Sequence, residues 1–327
     1  MLILSSLLSR AYAGEGDLPR IADLINTCAT VDQLEIETSV NELQQEFTEP
    51  DFDLMQDLQL WCDSENNLIG FGQLRISPSN QSDENSSYLW FRVHPTARNS
   101  DIESQIVAWG LRRVQELGKE RQTRTKLCTV VRDSEPDRST FLQRNGFVAE
   151  RVFYRMERSL LQSSFKPQLL AGFTLRQIEG EHEAEAWVEM FNQTFIDHWD
   201  FHPMTIEQWH HYGKDPNYRP ENDLVAVDRT GTLAAFCYCE IRQEQNDRTG
   251  RSEGWVNVLG TRRGFRGLGL GRAMLLAGLD QLKQSGAETA FLGVDSENPS
   301  GALQLYKSVG FSQRDSTTTF AKSLSRC

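Results

Sequence analysis

Gly267, Gly269 and Gly271 stand at alternate positions between a segment that reads as a strand and one that reads as a helix, and no other feature of the 327 residues limits the fold as tightly. Trp255 to Leu259, before them, is β-branched and aromatic; Ala273 to Leu282, after them, carries apolar residues at helical spacing. Glycines in such a turn take conformations closed to other residues, and the first amides of the following helix lack an intrahelical partner. The turn therefore suits an anion. Arg262, Arg263, Arg266 and Arg272 flank it, so a group with several phosphates meets oriented amides and full positive charges together. No Lys-Ser or Lys-Thr follows the last glycine as a P-loop requires, and the third glycine of the dinucleotide fingerprint falls on Arg272. Nucleoside triphosphate and nicotinamide readings are weak on that count.

A second landmark follows. Phe291 to Asp295 reads as a strand, Ser296 to Pro299 as a turn, and Ser300 to Val309 as a helix with Ala302, Leu305, Tyr306 and Val309 on one face. Gly310 sits where a left-handed C-terminal cap belongs. Together the two segments resemble the GNAT acyltransferase superfamily. Its first hallmark, Arg/Gln-x-x-Gly-x-Gly/Ala, appears as Arg266-Gly267-Leu268-Gly269-Leu270-Gly271, and its second as Asn298, Ala302, Tyr306, Gly310 and Phe311, with one extra residue between Asn298 and Ala302.

The resemblance implies acyl-coenzyme A, usually acetyl-coenzyme A, as the acyl donor and no metal. Its pyrophosphate is expected on Arg263, Arg266, Gly267, Leu268, Gly269, Leu270, Gly271 and Arg272, with Asn298 nearby, and its pantetheine arm along Val258, Leu259 and Gly260. Tyr306 matches the tyrosine that donates a proton to sulfur in this family. A packed aromatic on a helix face is the plain alternative. Many members carry a glutamate where Asn257 stands here, and asparagine takes no proton at neutral pH. Glu253 and Glu240 are the nearest acids on adjoining strands, either able to act through water; Glu253 is the candidate base. No cysteine lies in either motif, so the expected mechanism is direct attack by an amine in a ternary complex.

The first half carries related landmarks. Tyr88 to Val93 reads as a strand leading into Val93-His94-Pro95-Thr96-Ala97-Arg98, a helix-like stretch runs from Ile102 to Leu117, and Thr140 to Phe147 parallels Leu305 to Phe311. Arg98 and Arg266 are 168 residues apart, Phe147 and Phe311 are 164 apart, so the chain reads as two copies of one fold. The expected architecture is mixed α+β: two tandem GNAT-like domains, each a largely antiparallel mixed sheet flanked by helices. The layout is similar to that of mycothiol synthase and its relatives, which carries no substrate across. Residues 1–164 are read as a degenerate copy, because Asp101 and Glu103 replace the glycines and repel a pyrophosphate, and Leu142 replaces the tyrosine. Residues 165–327 are read as the catalytic copy, with the boundary near Phe165 after a Ser- and Pro-containing linker.

Helices are expected from Glu183 to Phe195 and from Thr205 onward, and their connection gathers His198, His202 and several aromatics before Trp209-His210-His211-Tyr212. In the family this region borders the acceptor. Pro203 and the loop composition argue against a metal site on His198 and His202. Net charge of −12 and a single local cluster of basic residues, which the acyl donor already explains, argue against nucleic acid. No apolar run spans a bilayer, and Met1 to Ala13 is read as an opening strand from Leu4 to Tyr12 rather than a signal peptide. The six cysteines include no Cys-x-x-Cys pair and read as reduced thiols, which fits a cytoplasmic protein, and a monomer or weak homodimer is expected. The chain is expected to be an N-acetyltransferase with an unknown primary amine acceptor, or else an acyl-coenzyme A sensor or scaffold, or an O-acyltransferase.

Overall fold

The computed structural model describes residues 8–34, 37–77, 84–98, 100–162 and 165–324. Leu4 to Leu7 of the expected opening strand, Asn99, Ser163, Ser164 and Cys327 lie outside them. The chain forms two compact units, one of residues 1–150 with 319–327 and one of residues 151–318.

In the first unit β1 (Leu8–Ala11) is followed by α1 (Leu18–Val31), α2 (Val40–Phe47) and α3 (Leu54–Asp57), then β2 (Leu58–Cys62), β3 (Leu68–Ile76) and β4 (Glu84–Val93). The helix α4 (Ile102–Arg121), β5 (Arg124–Arg132) and α5 (Pro136–Arg144) complete it. Strands β1 to β4 pair antiparallel in chain order, while β4 and β5 run parallel. Alternation along β2 sends Leu58 and Leu60 to a core with Ile21, Ile25 and Phe47, and Trp61 to a core with Ile102 and Ile106 of α4. A capping box fixes the start of α2, with Ser39 and Glu42 satisfying each other's backbone amides. Asp17 precedes α1 but caps nothing with its side chain, which instead holds Arg10 at 2.5 Å.

The second unit begins at Arg151 within β6 (Val148–Ser159) and continues with β7 (Phe173–Gln177), α6 (Ala184–Phe195) and α7 (Ile206–Tyr212). Then come β8 (Asp223–Asp228), β9 (Leu233–Glu240), α8 (Gln243–Thr249), β10 (Glu253–Thr261), α9 (Leu270–Gln284), β11 (Thr289–Asp295), α10 (Ala302–Ser308) and β12 (Ser312–Leu324), the last of which counts with the first unit from Thr319 on. Strand order is β6-β11-β10-β9-β8-β7, with β12 beside β6. Only β10 and β11 run parallel among these registered pairs.

The expected boundary near Phe165 differs from the division at Glu150 and Arg151, and the reason is a long-range ladder. From Phe153 to Ser159, β6 pairs with β11 from Asp295 back to Thr289, so the strand that ends the first copy in sequence belongs to the second unit. The linker-like composition around Phe165 follows that strand instead of preceding it.

The second unit's sheet buries both faces. On one, α9 and α10 cover Cys237, Cys239, Leu292 and Val294; on the other, α6 covers Val225, Val227 and Phe236. Close approach on the first face rests on Gly278, where an added Cβ would lie 2.5 Å from the Cys237 sulfur. Both thiols are fully buried under α9, and their presence beside the site is a matter of packing. Among the described residues no helix is long and apolar enough to cross a membrane.

Candidate active site

Parallel pairing of β10 with β11 covers only Glu253–Trp255 against Thr289–Phe291, after which the two strands part. On its other edge β10 changes register against β9 between Val256 and Val258, leaving Asn257 as the extra residue of a bulge. A cavity of about 720 Å³ opens where the strands separate. Val256 to Thr261 line one side, Gly293 to Asp295 the other, and Arg266, Gly267, Gly269, Gly271 and Arg272 one end. Asn298 and Tyr306 also reach it, as do Phe153 and His198.

At the glycine turn, Gly267 has φ +79° and Gly269, which caps α9, has φ +75°. A Cβ added at either would meet nothing within 4 Å, so bare backbone faces open space at the start of a 15-residue helix. That is the cradle a phosphate needs: free amides, the positive end of the helix dipole and no side chain in the way.

The four arginines divide. Arg262 is held by Gln193 at 2.7 Å and Glu189 at 2.6 Å on α6. Arg263 and Arg266 share Asp197, and Arg266 also donates to the Thr194 carbonyl at 2.7 Å. Arg272 donates to Ser308 at 2.8 Å and lines the cavity. Arg263, expected to hold the donor, is largely exposed on Asp197 and outside the lining; Leu268 is exposed and Leu270 is buried in the core, so neither side chain reaches the cavity. Local sequence shows the positive cluster but not the carboxylates that α6 and its following loop bring to it.

Tyr306 projects from α10 into the cavity wall, 7% exposed. Burial pushes its phenol above the usual range, and its hydroxyl makes no hydrogen bond to any described residue. It is a neutral O–H held close to open space. The helix that carries it stops as its sequence predicts, with Gly310 at φ +94°. Asn298 accepts from the Ser300 amide at 2.8 Å, fixing the turn that leads into the same helix.

Glu253 and Glu240 are placed very differently. Glu253 lies at the end of β10 that is still paired with β11, faces Arg251 at 3.5 Å and does not line the cavity. Glu240, 6% exposed, accepts from the Asn257 side chain and from Arg242 at 2.6 Å. The carboxylate in touch with the site is therefore Glu240. Counting from the glycine turn led to Asn257 but not to its partner, because a bulge re-aims residues in a way that spacing does not display.

A second pocket, of about 390 Å³, shares Asn257 and Val258 with the first. Trp187, Phe191, Trp209, Tyr218 and Tyr238 form its walls, with Asp223 and Glu240 inside. Thr205 and Gln208 form a capping box that starts α7 and so sets Trp209 and Tyr212 on it. Asp223 is 2% exposed; burial pushes its carboxyl up to about 7, against the Trp187 indole at 3.4 Å and the Tyr218 hydroxyl at 3.3 Å, which act the other way. At the cavity side His198 packs edge-on against Phe195 at 4.6 Å, and burial lowers its imidazole. No group of three His, Cys, Asp or Glu among the described residues is arranged to hold a metal ion.

The first unit has a cavity of about 490 Å³ at the corresponding turn, lined by Arg92, Arg98, Glu103, Glu135 and Arg138 among others. Here the turn is closed by side chains. Arg98 makes a bidentate pair with Asp32 at 2.5 and 2.8 Å, Asp101 precedes α4, and Arg138 lies 4.2 Å over Phe91. Leu142 is fully buried.

Residues 184–311 match the model of the acetyltransferase (GNAT) family. A mycothiol acetyltransferase from Thermobispora bispora is 33% identical over 168 residues, 51% of this chain and 56% of that protein. Another from Stackebrandtia nassauensis is 25% identical over 264 residues, 80% of this chain and 81% of that protein. Against the first, this chain spans little more than half of the relative's length. A crystal structure of a GCN5-related N-acetyltransferase from Sphaerobacter thermophilus superimposes with a TM-score of 0.73 at 23% identity, covering 97% of this chain and 95% of that one.

Proposed function

We propose that this chain, whose residues 184–311 match the GNAT acetyltransferase family, transfers an acetyl group from acetyl-coenzyme A to an amine in its second unit. The observation that carries the reading is the cavity with bare glycine backbone at a helix start on one end and the unbonded hydroxyl of Tyr306 in its wall. Gly267, Gly269, Gly271 and Arg272 hold the pyrophosphate, and Val258 to Gly260 offer backbone groups to the arm. The thioester supplies an activated acyl carbon.

The remaining work falls to the chain. Glu240, bonded to the Asn257 side-chain amide, takes up the proton that the amine releases as its nitrogen bonds to the acyl carbon. Tyr306 gives its proton to the sulfur as the carbon–sulfur bond breaks, and a buried, neutral phenol is suited to that donation. Val256 to Gly260 line the meeting point, so that attack occurs within one complex. The first unit is proposed to bind no acyl donor, since Glu103 and Arg138 stand in its cavity and Leu142 supplies no hydroxyl.

Calorimetric titration with acetyl-coenzyme A tests this. One site per chain, with thiol release on adding amines, is expected. Two sites overturn the assignment of the first unit, and no binding overturns the whole reading.

A further inference from the structure

The second pocket contains carboxylates and aromatic rings but no lysine, arginine or histidine in its lining. Glu240 has a cation of its own in Arg242. Asp223 has none: among the described residues its side chain meets only the Trp187 and Tyr218 donors, both at long range. A carboxylate buried with neutral donors alone is costly unless a cation completes it. The rings of Tyr218 and Tyr238, 5.5 Å apart, stand beside it, and the Tyr238 hydroxyl makes no hydrogen bond to any described residue. Aromatic faces and a buried carboxylate are the two elements that receive an organic ammonium.

The position of Asp223 defines more. It pairs with Tyr238 across β8 and β9, and Tyr238 pairs with Val258 across β9 and β10. Two strand spacings, roughly 10 Å, therefore separate Asp223 from the backbone beside which the acyl carbon is expected. A nitrogen held at Asp223 is not the one that reacts. Glu240 and Asn257, on the nearer strands, stand where the reacting nitrogen must shed its proton.

We infer that the acceptor is a short organic diamine: one ammonium sits against Asp223 beside the tyrosine rings, an apolar linker lies along Trp187 and Trp209, and the second nitrogen is acetylated at Val258. This rests on the transfer reading above. The reaction balances simply: the free amine loses one proton, a nitrogen–carbon bond replaces the carbon–sulfur bond, and the thiolate gains one proton.

Thiol release with putrescine, butylamine and glucosamine, alongside calorimetry of acetyl-coenzyme A, tests the inference on the intact chain. Putrescine is expected to exceed butylamine in kcat/KM by at least about tenfold, because only it completes the buried charge. In Asp223→Asn that ratio is expected to fall toward one. Tyr238→Phe serves as a second variant, expected to keep the preference through its ring. If acetyl-coenzyme A binds but butylamine or glucosamine matches putrescine, or no amine reacts, the diamine is overturned while the donor site stands. If acetyl-coenzyme A does not bind, the transfer reading itself fails.

Discussion

The side-chain amide of Asn257 donates to the carboxylate of Glu240, linking the bulge residue of β10 to the last residue of β9. That bond joins the two cavities, since Asn257 lines both and Glu240 lines the aromatic one. In the proposed reaction the amide orients and the carboxylate holds the proton, which Asn257 alone has no group to do.

Glu240→Gln keeps the shape and the Asn257 contact but not the proton acceptor. Its kcat/KM is expected to fall by roughly a hundredfold or more at neutral pH. Glu253→Gln is expected to change kcat/KM by less than about threefold, since its carboxylate faces Arg251 away from the cavity. Steady-state rates for both variants check the pair, and equal losses refute the assignment of the base.

Tyr306→Phe removes one oxygen from a wall that is otherwise packed. Acetyl-coenzyme A affinity is expected to stay within a few-fold, while kcat falls by about a hundredfold. Because burial holds the phenol protonated beyond its usual range, the wild type is expected to show no loss of kcat from this group up to a pH of about 10. A rate profile carried to that pH in wild type, with calorimetry of the variant, decides both points.

At Gly269 the backbone conformation and the charge can be separated. Asparagine tolerates a φ of +75° better than most residues and is neutral; aspartate has similar shape and a charge. Gly269→Asn is expected to bind acetyl-coenzyme A within about tenfold of wild type, and Gly269→Asp to lose much more. Equal losses would assign the glycine to conformation alone.

Much of this site was legible because its parts are local. The turn through Gly271, the helix behind it and the Gly310 cap each depend on neighbours within a few residues. What sequence did not show is what distant segments bring. Asp197 takes Arg263 and Arg266 out of the free positive cluster, β6 joins a ladder with β11, and Asp223 meets Trp187 only after α6 folds over β8. Glu253 looked the nearer acid because a count along β10 cannot reveal a bulge, which shifts the useful carboxylate to the neighbouring strand. The first copy's Asp101 and Glu103 were legible as replacements; the Asp32 that locks Arg98 was not.

Asp223 makes a prediction about stability that needs no substrate. Its folded carboxyl titrates at about 7 against an ordinary 3.8, so the fold favours the protonated form. Below about pH 4 both states are protonated and the group costs nothing. Between about 4 and 7 the unfolded chain releases the proton first, so this residue makes stability fall as pH rises, by roughly 4 kcal/mol at most, and it levels off above 7. Other carboxylates here, such as Asp17 and Glu183 on their arginines, have lowered values and act in the opposite sense. The useful quantity is therefore the difference between Asp223→Asn and wild type. Urea midpoints measured in the absence of amines should show the variant gaining relative to wild type from pH 4 to 7, because an amide cannot ionise. A difference that stays constant across that range would mean Asp223 carries its charge in the fold at no cost, which requires a cation near it that the present contacts lack.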